Sequence, residues 1–272
     1  IAANMSSTEA ARFETDDNYN VFAIAGSNFH WITFNCSEGG MFYNNPDFRK
    51  AVCYAIDAAG IVEGVFNGGA KVSRAYGNPE CVDYNKAWDS EEYYEYNIEK
   101  AKELLASSEA DTSQVIRIMY PQTSVNKSMA QIIQSYLLEI GLNCELLGYE
   151  SALYQTYKTE AGEWDIILDE KQSVDYVTSL ASTLQVSGST PAICLAEDEK
   201  LQELVSQVQS NEGHTEENIN AYMGYIKDEC YVYAICQANI YHVTESSING
   251  IVTNFKGWLL PGCAVYTKDF ER

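Results

Sequence analysis

Positive charge is what this sequence has least of. Its 17 Lys and Arg stand against 39 Asp and Glu, a formal net charge of −22. Nucleic-acid affinity rests largely on cationic side chains displacing condensed counterions, so a general DNA or RNA binder is excluded. The same sign disfavours an anionic membrane surface. No apolar run approaches the ~20 residues a membrane-spanning helix needs. The first residues, Ile1-Ala-Ala-Asn-Met-Ser-Ser7, lack the basic and apolar regions of a secretory signal, which leaves a cytosolic protein or a mature, trimmed chain. There is no C-x-x-C pair, and His30, His214 and His242 have no cysteine at ligand spacing, so no zinc or redox motif and no cofactor are expected. Nucleophile elbow, phosphate loop and dinucleotide fingerprint are all missing. The nearest glycine cluster, Asn67-Gly-Gly69, follows a helical stretch and reads as its C-cap. Nothing nominates a catalytic residue, and the chain is read as non-enzymatic.

What is present is ordinary globular material. Apolar residues make up 46% and aromatics 12%, with 20 tyrosines. Disordered acidic tails have few aromatics, so this is a folding chain. At roughly 150 residues per domain, 272 residues imply one or two domains. The eight cysteines are Cys36, Cys53, Cys81, Cys144, Cys194, Cys230, Cys236 and Cys263. Several sit in apolar runs, where a thiol behaves as a small buried hydrophobe, with one or two disulfides as the alternative.

Residues 115–120 predict a strand, followed by a helix from the Thr123-Ser124 cap to about 140, with apolar residues recurring at spacings of three and four. Gly141 ends it. A second strand over 142–147, a helix over 151–161 and a third strand over 164–168 complete a β-α-β-α-β run, which requires parallel strands with crossover helices. Upstream, helices are expected after Asn44 or Asn45, after Asp57 and after Asn97. Residues 70–96, without a period and rich in turn formers, read as a long surface loop. Downstream, 197–209 and 216–229 predict helices, and 231–236 with 239–243 two strands of a hairpin. The fold class is α/β, a central mostly parallel sheet flanked by helices, and residues 1–19 are peripheral.

Ligands of open α/β sheets bind beyond the carboxyl ends of the strands. That places interest on the polar segment Asp169-Glu-Lys-Gln-Ser-Val-Asp175-Tyr176 and on Pro121-Gln-Thr-Ser124, which open onto one sheet edge. Two ordinary surface loops would look the same.

Three segments together resemble a known signature: Trp31-Ile-Thr-Phe-Asn35, Asn45-Pro-Asp-Phe-Arg-Lys-Ala-Val-Cys-Tyr-Ala-Ile-Asp57 and Ile61-Val-Glu-Gly-Val-Phe-Asn-Gly-Gly-Ala70. It is that of the solute-binding proteins of ABC importers, family 5, the oligopeptide, dipeptide and nickel class. Asn97-Ile-Glu-Lys-Ala-Lys-Glu-Leu-Leu105, Ile140-Gly-Leu-Asn-Cys-Glu-Leu146 and Gly162-Glu-Trp-Asp-Ile-Ile167 resemble later segments of the same family, in order. The resemblance implies a periplasmic-binding-protein-like C-terminal lobe over 28–255. Residues 1–27 would come from the inter-lobe side, and 256–272 would return toward a first lobe that is missing.

In peptide-binding members an Asp in an A-D-Y-x-x-P segment pairs with the peptide's amino group. Asp175 falls at that place, with Gln172, Ser173 and Tyr176 beside it as further ligand-binding residues. Here Gln172 stands where the family commonly has Trp, and no Pro follows Tyr176. Asp175 also suits the N-cap of a helix starting near Tyr176. The implied function is capture of a small-molecule or short-peptide solute, with a membrane permease and the missing lobe as partners. The implied location is outside the cytoplasm, membrane-anchored through a lipidated N-terminus. An α/β enzyme of unrecognised chemistry and a sensor or interaction domain without transport remain the rival readings.

Overall fold

The structure is a computed structural model that describes residues 1–160, 162–172, 175–186, 196–251 and 266–267. Its centre is the predicted β-α-β-α-β run. β4 (Ile116–Pro121) leads through α5 (Ser124–Glu139) to β5 (Cys144–Tyr149), and α6 (Ser151–Tyr157) returns the chain to β6 (Ile166–Gln172). β4 pairs parallel with β5 from Ile116↔Cys144 to Pro121↔Tyr149, and with β6 through Ile118↔Ile166. The Thr123 hydroxyl caps α5 by accepting from the Asn126 N–H, and Gly141 follows the helix at φ +87°. Side chains alternate across these strands as the pleat requires. Ile118 and Leu168 face Met129 and Ile133 of α5, whereas Met119 and Ile167 pack with Tyr154 of α6 and Trp164.

The sheet is larger than that run and is mixed. Its order is β1 (Ala2–Met5), β7 (Val232–Glu245), β2 (Tyr19–Phe34), β6, β4, β5, with β3 (Ala70–Val72) also on β7. β2 pairs antiparallel with both β6 and β7, so the α/β class with flanking helices holds while the expectation of a mostly parallel sheet is corrected. The predicted hairpin is instead one strand, β7, of 14 residues. Asn239, expected to open the second strand of that hairpin, lies within β7 and has its side chain committed to a β-bulge in β2. Gly26 at φ +64° supplies the bulge, its N–H donates to Asn239 Oδ1, and the register shifts between Ile24 and Asn28.

Helices α2 (Pro46–Ala55), α3 (Ala58–Phe66), α4 (Ile98–Ser107), α7 (Glu199–Gln209) and α8 (Glu216–Glu229) follow the predicted order, capped by Asn45, Asp57, Asn97, Asp198 and Thr215. A short α1 (Ser7–Ala10) follows β1, and a small ladder joins β8 (Ile248–Asn249) to β9 (Tyr266–Thr267). Helix α6 stops at Tyr157, short of the expected 161. The largest departure is residues 70–96. They begin as β3 and then bury Tyr76, Cys81, Tyr84, Trp88, Tyr93 and Tyr94. Tyr76 lies 5.7 Å from the rings of both Phe29 and Trp31, which stack on each other. Aromatic burial without helical or strand period holds this segment down, which is why periodicity alone reads it as loose.

Candidate functional site

β4, β5 and β6 end on one edge, at Pro121, Tyr149 and Gln172. Gln122 N–H donates to the Tyr149 carbonyl there, and the N-terminus of α5 opens beside it. β6 runs further than expected, so Asp169, Glu170, Lys171 and Gln172 are strand residues rather than loop. Gln172 sits opposite Asn28 of β2. Ser173 lies outside the described residues. Asp175, three positions past β6, is exposed, as is Tyr176, whose ring meets His214 edge-on at 5.6 Å.

Asp175 is positioned through its backbone, its carbonyl accepting from Val82 N–H at 2.9 Å. The alternative N-cap role falls to another residue. The 3-10 turn Val177–Leu184 takes its cap from Asp83, whose carboxylate accepts from Val177 N–H at 2.6 Å, Thr178 N–H at 3.2 Å and the Thr178 hydroxyl at 2.8 Å. The supposedly loose segment 70–96 therefore carries the group that fixes the Asp175 loop. No local sequence signal links residues 94 apart.

On the same edge a cavity of about 380 Å³ opens between β2, β6, β7 and the N-terminal segment. Asn28, His30, Thr123 and Glu170 are among its polar lining residues, and Met5, Phe66, Val125 and Ile240 are among its apolar ones. The Asn28 amide donates to Glu170 Oε2 and to His30 Nε2, each at 3.3 Å. That makes Nε2 the acceptor nitrogen of a neutral ring, with Nδ1 carrying the proton 3.5 Å from Glu170 Oε2. His30 is fully buried, and desolvation lowers its pKa to about 4. Burial raises the Glu170 carboxyl, opposed by the Asn28 hydrogen bond and reinforced by the charge of Asp169. Asp169 points to the other face, where Lys158 Nζ lies 3.8 Å away, and burial raises its pKa too.

The cavity thus presents the carboxylate of Glu170 and further hydrogen-bonding side chains in a partly dewatered setting, with Asp175 exposed beyond the end of β6. Such an arrangement suits an ammonium group, because a charge-assisted bond strengthens as water is excluded. Glu170, Asn28, His30 and Asp83 were missed from the sequence. Alternation across β6 could have separated Glu170 from Asp169, but only once the strand was known to reach Gln172. The other two histidines lie apart: His242 Nδ1 accepts from Asn4 N–H, and His214 Nε2 sits 3.8 Å from Asp83. Asp165, buried, is held by Arg117 through both carboxylate oxygens at 2.9 Å, a structural pair rather than a site group.

Residues 1–191 match the model of the bacterial extracellular solute-binding proteins, family 5, middle region. Over 155 residues, 54% of this chain and 27% of the relative, the sequence is 30% identical to heme-binding protein A of Haemophilus influenzae. Among solved structures, the ABC transporter substrate-binding protein CtaP from Listeria monocytogenes superposes with a TM-score of 0.80 at 19% identity, over 92% of this chain and 52% of that one. The periplasmic binding protein DppA from Helicobacter pylori, in complex with the peptide STSA, gives 0.77 at 19% identity, over 98% and 52%. The chain spans about half the length of these structures.

Proposed function

The chain belongs to the bacterial extracellular solute-binding proteins of family 5, and from that premise we propose that it is the second lobe of an ABC importer's receptor for short peptides. Residues 28–255 form most of this lobe, β1 and the first half of β2 within 1–27 enter its sheet from the inter-lobe side, and a first lobe closes over the strand-tip edge to enclose the solute. Capture, not catalysis, is the activity. The closed form is presented to a membrane permease. The family's members work outside the cytoplasm, and the whole receptor is held at the cell surface by a lipidated N-terminus. No helix among the described residues is long and apolar enough to cross a membrane.

The observation that carries this reading is the exposed Asp175 at the strand-tip edge, anchored by Val82 and Asp83. Its carboxylate meets the peptide's ammonium, with Gln172, Ser173 and Tyr176 beside it. One such bond in an enclosed cleft is worth roughly 1.5–3 kcal/mol. In the whole receptor, Asp175→Asn therefore weakens peptide binding about 10- to 100-fold by calorimetry. N-acetylation of the peptide costs a similar factor in the unaltered receptor and little more in the variant. An unchanged Kd in both experiments rejects Asp175 as the ammonium partner.

A further inference from the structure

Cys53 and Cys230 lie 177 positions apart in sequence, yet their sulfurs are 3.2 Å apart, closer than two non-bonded sulfurs normally rest. Cys53 occupies the last turn of α2, and Cys230 is the left-handed C-cap residue of α8 at φ +55°. Both are fully buried. The corner is built to hold them. One helical turn before Cys53, Arg49 donates from Nε and Nη2 to the Glu229 carbonyl, at 2.9 and 2.6 Å, and from Nη1 to the Phe42 carbonyl. Its guanidinium also lies over the Tyr231 ring at 5.0 Å. These contacts fix the end of α8 against α2, so neither sulfur must move far to bond.

We propose that Cys53 and Cys230 form a structural disulfide that staples α2 to the α8–β7 corner. Two thiols are oxidised and one S–S bond forms. The oxidant is a disulfide, that of a thiol–disulfide oxidoreductase or of oxidised glutathione. Its own S–S bond breaks, and it leaves as two thiols that take the two protons. In the folded chain both sulfurs are inaccessible, and burial pushes the Cys53 thiol well above its ordinary range, which suppresses the nucleophilic thiolate. Exchange therefore takes place while the chain folds, and the finished bond is shielded from reductants. Its occurrence in the cell rests on an extracytoplasmic location, because disulfides persist in oxidising compartments. The pairing rests on the geometry alone and needs no solute, so it can fail or succeed independently of peptide binding.

The test compares the folded 272-residue chain purified from a reducing cytoplasm with the same chain exported to an oxidising compartment. Each is denatured without reductant, its free thiols are alkylated, and its digest is analysed by mass spectrometry. The exported chain yields a crosslinked peptide joining Cys53 to Cys230, two hydrogens lighter than the sum of its thiol halves, and melts about 5–10 °C higher than the reduced chain. Cys53→Ala abolishes both the crosslink and the difference in melting. Full alkylation of Cys53 and Cys230 in the exported chain, or a bond from either to another cysteine, overturns the proposal; this readout uses the unaltered chain and does not depend on the variant folding.

Discussion

His30 shows how one side chain ties the site to stability. A free histidine takes up a proton near 6.5, whereas this buried ring resists until about 4. The sign follows directly: below 6.5 the unfolded chain binds a proton that the folded chain refuses, so acidification favours unfolding, and the penalty grows until about pH 4. At ~1.4 kcal/mol per pH unit the interval amounts to about 3 kcal/mol. Glu170 faces the ring from β6 with a raised pKa and works in the opposite direction, since the folded state holds its proton more tightly than the unfolded one. Asn28 and the Phe66 ring, 5.3 Å away, also border His30 and carry no charge. Urea melts between pH 7 and 4 should show a flatter loss of stability on acidification in His30→Gln than in the unaltered chain. Parallel pH profiles would remove His30 as the acid-sensitive group. The local sequence Asn28-Phe-His-Trp31 announces a strand but not its burial, because no neighbouring residue reveals what packs on either face.

At the scale of elements, the segment between β3 and α4 governs the site loop. Gly77 is packed so closely on the Val177–Leu184 turn that a Cβ there would stand 1.9 Å from Val177 Cγ1. Gly77→Ala must displace that turn, costing about 1–3 kcal/mol, as overpacking does. The thermal midpoint drops, and, on the proposed role of Asp175, peptide affinity of the whole receptor falls with it because Asp175 precedes the same turn. Combining Gly77→Ala with Val177→Ala removes the offending methyl and should recover part of the lost midpoint. Equal losses in the single and double variants would place the strain elsewhere. Caps made α2 to α5 readable, since Asn45, Asp57, Asn97 and Thr123 each accept from an N–H three residues away, whereas α7 and α8 were read without their caps, Asp198 and Thr215. The segment 70–96 was not readable in this way. Its order comes from Tyr76 on Trp31, Trp88 Nε1 on Asn220 and Asp83 on Thr178, contacts that couple distant parts of the chain.

For the whole molecule, the two-lobe proposal gives this chain one wall of a cleft, and the expected consequence is weak binding. An affinity of ~1 μM in a whole receptor is about −8 kcal/mol, and half of the contacts leaves ~−4 kcal/mol, a Kd near 1 mM. Calorimetry of the 272-residue chain with short peptides should therefore give little or no heat, and submicromolar binding would contradict the two-lobe capture proposed above. By itself the sequence determined the local elements, the parallel β4-β5-β6 unit and the edge on which it ends, because caps, glycine stops and apolar spacing act within a few residues. It also placed Asp175 beside that edge. Only the tertiary structure decided that β2 and β7 run antiparallel through the sheet, that Asp83 rather than Asp175 caps the following turn, and that Glu170 meets Asn28 and His30. Strand pairing and burial are settled by contacts between residues far apart in the chain, and those contacts leave no periodic trace in it.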